Sequence, residues 1–190
     1  MSEMEAAEEK FRPITVGDYH HMVEAGILGE KEPVELVDGL LIAMPPEGPV
    51  HADVAGELAA LFMQRLAGRA TIRYGNPVTL DGVSEPQPDV ALVRRREQRY
   101  LHGHPTPQDI LLVVEVSWTS LRYDRRRKLR AYARNGIPEY WIVNCVDRRV
   151  EIYTDPHELG YASTSVVERG GSVAPGAFPD EVIPVNAFLP

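Results

Sequence analysis

Two carboxylates occupy places in this 190-residue chain where a charge is costly. Glu115 follows five apolar residues in Ile110-Leu111-Leu112-Val113-Val114-Glu115-Val116. So apolar a run reads as a central strand buried on both faces. An unpaired carboxylate is retained there only if a cation, a donor network or a proton offsets its desolvation. Strand alternation puts Leu111, Val113, Glu115 and Ser117 on one face, so the carboxylate emerges near the strand's C-terminal end. Asp89 follows Pro86-Gln87-Pro88 and opens Val90-Ala91-Leu92-Val93. If the two strands run antiparallel, the start of one lies beside the end of the other and the carboxylates meet. At close range they repel unless a cation sits between them. Hard oxygen ligands favour Mg²⁺ or Mn²⁺, which keep several waters and accept phosphate oxygens. Taken singly, each residue also has a structural explanation: a cap-like turn for Asp89, an ion pair with an arginine for Glu115.

Further candidates flank this pair. Lys128 lies four residues after Asp124, on the same side of a basic helix and at the edge of an inward stripe of Leu129, Tyr132 and Ala133. From there it can extend toward the end of the sheet, or it is a surface lysine in a basic run. Glu35, between Val34 and Leu36, is either a half-exposed edge residue or an inward carboxylate. His51 precedes a helix start and could cap it or contact phosphate. The paired His20-His21 has a weaker claim. Cys145, the only cysteine, lies in the apolar run Tyr140 to Cys145 and reads as a buried structural thiol.

The elements that must position these groups follow from periodicity and punctuation. Thr15-Val16-Gly17-Asp18 resembles a helix start, with Gly26 as the stop. Val34 to Val37 and Leu40 to Met44 read as strands, and Asp38-Gly39 between them is a two-residue hairpin signal. A helix over about Ala52 to Ala67 places Val54, Leu58, Leu61, Phe62 and Leu66 in one stripe. Strands are expected over Ala70 to Leu80, Asp89 to Val93 and Ile110 to Val116. A basic helix, Tyr123 to Asn135, ends at Gly136, and a hairpin of Glu139 to Cys145 with Arg149 to Thr154 follows. Beyond it only short strands and Pro/Gly turns are expected, with Gly170 to Pro190 apolar enough to complete the sheet or an interface. The order predicts an α/β (α+β) fold: a mixed central sheet flanked by helices, with an N-terminal β-hairpin.

Composition sets limits. The 44% hydrophobic fraction is ordinary for a globular protein, and the expected organisation is an acidic disordered tail, 1–12, and one domain, 13–190. A single cysteine excludes an intramolecular disulfide and a CxxC metal site. No apolar run approaches the roughly 20 residues of a membrane helix, and the N-terminus lacks a signal-peptide core, so a cytoplasmic protein is expected. The net charge of −8 argues against a general nucleic-acid coat. Yet Arg122 to Arg134 holds seven basic residues and one acidic one, a local +6 in a chain whose remainder carries −14. Such a segment can bind phosphates locally, or be a solvated helix face.

Several of these residues fall in ordered blocks: Glu35-Leu36-Val37-Asp38-Gly39, His51, Pro88-Asp89, Glu115-Val116-Ser117, Tyr123 to Lys128, and Gly136-Ile137-Pro138-Glu139-Tyr140-Trp141-Ile142-Val143. Together, over roughly residues 12 to 155, they resemble the Uma family of "putative restriction endonucleases", in the PD-(D/E)xK nuclease superfamily. The resemblance implies a restriction-endonuclease-like fold and a metal-dependent endonuclease that hydrolyses DNA phosphodiesters, acting as a homodimer. One Mg²⁺ or Mn²⁺ would be held by Asp89, Glu115 and the backbone carbonyl of Val116. Arg125, Arg126, Arg127 and His51 would contact DNA. Glu35 would be an additional acidic residue. The superfamily lysine two residues after the acid is replaced by Ser117, and the resemblance moves its role to Lys128. The alternative is a non-catalytic nucleic-acid-binding module that keeps the fold.

Overall fold

The computed structural model describes residues 11–29 and 32–190; the expected tail, 1–12, falls almost wholly outside them. Its centre is a six-stranded mixed sheet in the order β3-β4-β5-β6-β7-β8: Thr71–Tyr74, Val90–Val93, Ile110–Ser117, Glu139–Asn144, Arg149–His157 and Gly160–Glu168. Only β5 and β6 run parallel. The N-terminal hairpin, β1 (Val34–Val37) and β2 (Leu40–Ala43), is a separate two-stranded sheet. Asp38 and Gly39 take the positive φ values, 54° and 71°, that its tight turn demands.

Each face of the central sheet buries a different partner. Helix α2 (Pro49–Arg65) lays Val54, Leu58, Phe62 and the following Leu66 against Leu112, Val114, Val116 and Trp141. The C-terminal segment closes that core with Val173, Phe178, Ile183, Val185, Phe188 and Leu189, while β9 (Ser172–Val173) and β10 (Ile183–Pro184) pair only with each other. The apolar tail therefore completes the core and not the central sheet. On the opposite face Val113, Tyr140 and Ile142 meet Ala131 and Tyr132 of helix α4 (Leu129–Arg134). Helix α1 (Val16–Glu24) starts at a Thr15–Asp18 capping box, as its sequence predicts.

Three expectations need correction. The strand over Ala70 to Leu80 stops at Tyr74, because Gly75 turns the backbone to φ 57° and Pro77 follows. The nine-residue β8 was not anticipated; most of its residues are exposed, so it lacks the apolar pattern that marks a strand. Leu111 packs with the α2 face, not with Val113, because the β4–β5 register slips between Leu92 and Val93.

The basic segment is not one regular helix. After α3 (Leu121–Tyr123) comes a π-helical turn, Asp124–Lys128, and then α4. Arg125 within that turn is tied to β7 by a two-pronged contact with the buried Glu151, which also accepts from Asn144 and Tyr153. Burial alone would raise the Glu151 carboxyl, but the bonds from Arg125, Asn144 and Tyr153 bring it down to about 2. A depressed carboxylate contributes stability above its ordinary value of 4.5 and loses it as pH falls through the folded value. Arg125→Gln is therefore expected to cost roughly 1–3 kcal/mol near neutral pH, the buried-pair figure reduced because Arg125 is partly solvent-screened. In denaturant titrations across the acid range, the gap from wild type should close between about pH 4.5 and about pH 2; a gap independent of pH would contradict this assignment.

Candidate active site

Antiparallel pairing of β4 and β5 sets Val90 opposite Val114, which leaves Asp89 opposite Glu115 one step further along. The Val116 N–H donates to Asp89 Oδ2 at 2.6 Å, and His51 Nε2–H donates to the same oxygen at 3.0 Å. His51 lies in the first turn of α2, whose N-cap is Gly48, so it anchors Asp89 and does not cap the helix. Its imidazole pKa is raised by the hydrogen bond to Asp89, which outweighs burial.

Glu115 is 3% exposed and accepts two bonds on Oε1, from Lys128 Nζ at 2.9 Å and from the Tyr132 hydroxyl at 2.7 Å. Lys128 also lies 3.2 Å from Glu35 Oε2. Glu35 is buried and inward-facing, held by the Gln87 N–H at 3.0 Å and the Tyr123 hydroxyl at 3.1 Å. The hairpin thus brings one acid to the lysine, and the central strand brings the other. Asp124 is buried beside them and accepts from Ser117 and Ser120, each at 2.6 Å. Asp124 and Lys128, four residues apart, both face inward from the π turn. Leu129 N–H reaches the Asp124 carbonyl five residues back, and the wider turn keeps residues four apart on one side.

The electrostatics are unbalanced. Burial pushes the Glu115 carboxyl well above the ordinary carboxylate range; Lys128 opposes this, and Asp89, Asp124 and Glu35 add to it. Burial alone would lower Lys128, but Glu115, Glu35, Asp124 and Asp89 hold the ammonium well above its usual value. Four acids surround one ammonium, more carboxyls than it can pair.

Glu35, His51, Asp89, Glu115, Asp124 and Lys128 line one cavity of about 830 Å³. Within it, Glu47, His51 and Asp89 bring ligand atoms within 4.8 Å of one another. His51 Nδ1 is buried without a hydrogen-bond partner among the described residues. Asp89 Oδ1 and Glu115 Oε2 are the oxygens not engaged by the contacts above. This oxygen-rich donor set fits a hard divalent cation.

The three successive arginines diverge. Arg125 pairs with Glu151 and Arg127 with Asp38, whereas Arg126 is exposed and meets no carboxylate among the described residues. Arg122 and Arg130 share that outward, unpaired state. Sequence reasoning missed Glu47, which sits in an aperiodic Pro-Gly segment that offers no spacing signal. It also noted Asp124 only as a helix neighbour of Lys128, although its place four residues before that lysine was the available clue. Burial pushes the Cys145 thiol up to about 11, as expected of a structural residue.

A family model, Uma2, described as "putative restriction endonuclease", matches residues 16–186. The chain belongs to the Uma2 family. Among solved structures, this Uma2 protein is similar to a crystal structure described as a "putative nuclease" from Anabaena variabilis, with a TM-score of 0.73 and 17% identity over 93% of this chain and 98% of that one. At that identity the likeness shows a shared fold. No curated protein gives a significant match. Among the described residues, no helix is long and apolar enough to cross a membrane.

Removing the ammonium would leave two buried acids without their counter-charge. Lys128→Met is expected to cost about 3–5 kcal/mol in urea unfolding at neutral pH. Adding Glu35→Gln and Glu115→Gln to that variant should recover most of the loss. A Lys128→Met protein as stable as wild type would show that the ammonium does not hold the acids in place.

Proposed function

We propose that this Uma2 protein is a divalent-metal-dependent nuclease that hydrolyses phosphodiester bonds in DNA. The observation that carries the reading is the cluster itself: Asp89 and Glu115 opposite each other across paired strands, with a buried lysine against Glu115 and an excess of carboxylates facing one cavity. Ion pairing alone would need one acid per cation, and this site holds more acids than its single ammonium can balance.

In this reading Asp89, Glu115 and the Val116 carbonyl hold one Mg²⁺ or Mn²⁺, with Glu47 and His51 close enough to Asp89 to join them. When bound, such a cation neutralises charge that builds on the scissile phosphate and acidifies water. His51 and the Val116 N–H fix Asp89 by its Oδ2, so that Oδ1 is presented without rotational freedom. Lys128 places a permanent positive charge beside the phosphate and stabilises the pentavalent transition state. Glu35 is a positioning residue: it holds Lys128 together with Glu115, and Tyr123 holds Glu35. The outward Arg122, Arg126 and Arg130 would contact the DNA backbone, giving salt-dependent and largely sequence-blind affinity. Arg125 and Arg127 are already neutralised by carboxylates and contribute less.

A second reading has one observation in its favour. The cavity volume lies within the roughly 300–1,000 Å³ typical of small-ligand sites, which would suit hydrolysis of a small phosphoester.

Purified protein with Mn²⁺ is expected to nick supercoiled plasmid, while Asp89→Ala and Glu115→Ala each abolish nicking. Equal residual activity in wild type and both variants would mark a contaminant and defeat the reading. Cleavage of a small phosphodiester with no action on any DNA would favour the second reading.

A further inference from the structure

The catalytic proposal uses only the polar part of the cavity. The remainder is lined by Met44, Pro45 and Pro46, from the segment joining β2 to α2, by Val50 in the first turn of α2, and by Trp118, two residues beyond Val116. Trp118 is 48% exposed, whereas the chain's other tryptophan, Trp141, is fully buried. Among the described residues no aromatic ring stacks on Trp118. A large ring left half in water at the wall of a charged cavity is an unfilled stacking platform.

A DNA duplex cannot use such a platform, because its base faces are already stacked inside the helix. A base meets an aromatic ring face to face only when it is unpaired or has been turned out of the stack. We propose that the apolar part of the cavity receives an unpaired nucleobase, which stacks on Trp118, so that the preferred substrate is single-stranded or locally melted nucleic acid. This rests on the nuclease reading above and narrows its substrate class. The geometry agrees with the chemistry: Trp118 lies two residues beyond Val116, whose N–H holds Asp89, and lines the same cavity as both carboxylates, so a base on its ring would bring its own phosphate toward them. The outward stripe of Arg122, Arg126 and Arg130 begins four residues further on and offers positive charge for the strand's next phosphates. The cavity's volume, too small for a duplex to enter, suits one splayed nucleotide.

Because Trp118 is the only exposed indole, contact quenching of the intrinsic emission reports on it, over a background from the buried Trp141. With chelator present to prevent cleavage, a thymidine oligonucleotide of about a dozen nucleotides should quench the emission at lower concentration than a blunt duplex of the same length. Trp118→Ala should weaken oligonucleotide binding, measured by anisotropy, by roughly 5- to 150-fold, and Trp118→Phe should keep most of it. Thermal melts of both variants should match wild type, since an exposed ring contributes little to the core. An equivalent RNA strand that binds as tightly also supports base stacking and shows that the sugar is not read. Equal affinity for duplex and single strand, or an unchanged affinity in Trp118→Ala, would overturn the proposal. The nuclease reading would survive either result if Mn²⁺-dependent nicking persists, and would fail separately if it does not.

Discussion

Lys128 lies between two buried carboxylates, 2.9 Å from Glu115 and 3.2 Å from Glu35. That placement constrains three separate parts of the chain. Glu115 comes from a central strand, which seals it from water. Glu35 must come from the hairpin, whose register and turn decide which of its side chains point inward. Lys128 must come from a helical segment, here locally widened into a π turn, on which it and Asp124 share the inward side. Desolvating any one of these charges alone would cost several kcal/mol, and together they offset one another. The site is thus part of what docks the hairpin and the basic helix onto the sheet.

The same constraint bears on chemistry. Tyr132 and Lys128 both occupy one oxygen of Glu115, and His51 and the Val116 N–H both occupy one oxygen of Asp89. Each carboxylate is gripped on one side and left with an oxygen for something else. In the proposed reading such one-sided fixing would pre-orient metal ligands without consuming them, the role that outer hydrogen-bond partners play around metal sites.

Much of this was legible in the sequence. Asp38-Gly39 announced the hairpin, and the spacing of Val54, Leu58 and Phe62 announced α2. Glu115 stood out because an acid in so apolar a strand demands an explanation. Asp89 followed because antiparallel pairing of its strand would set it there. The rest depended on packing that spacing cannot reveal. Nothing in Arg125-Arg126-Arg127 tells which arginine meets a carboxylate, since Glu151 and Asp38 arrive from distant strands. Glu47 lies in a segment with no period, and the π turn has no recognised sequence mark. Strand β8 is polar and exposed, so its hydrogen bonds to β7 define it and its side chains do not.

The claim on which the account turns is that Asp89 and Glu115 share a divalent cation. A crystal soaked in Mn²⁺, measured for anomalous scattering, tests it most directly. A peak in contact with both carboxylates and the Val116 carbonyl is expected, with Glu47 or His51 the next nearest donors and Lys128 still bound to Glu115. Saturating Mn²⁺ with no peak between Asp89 and Glu115 would contradict it.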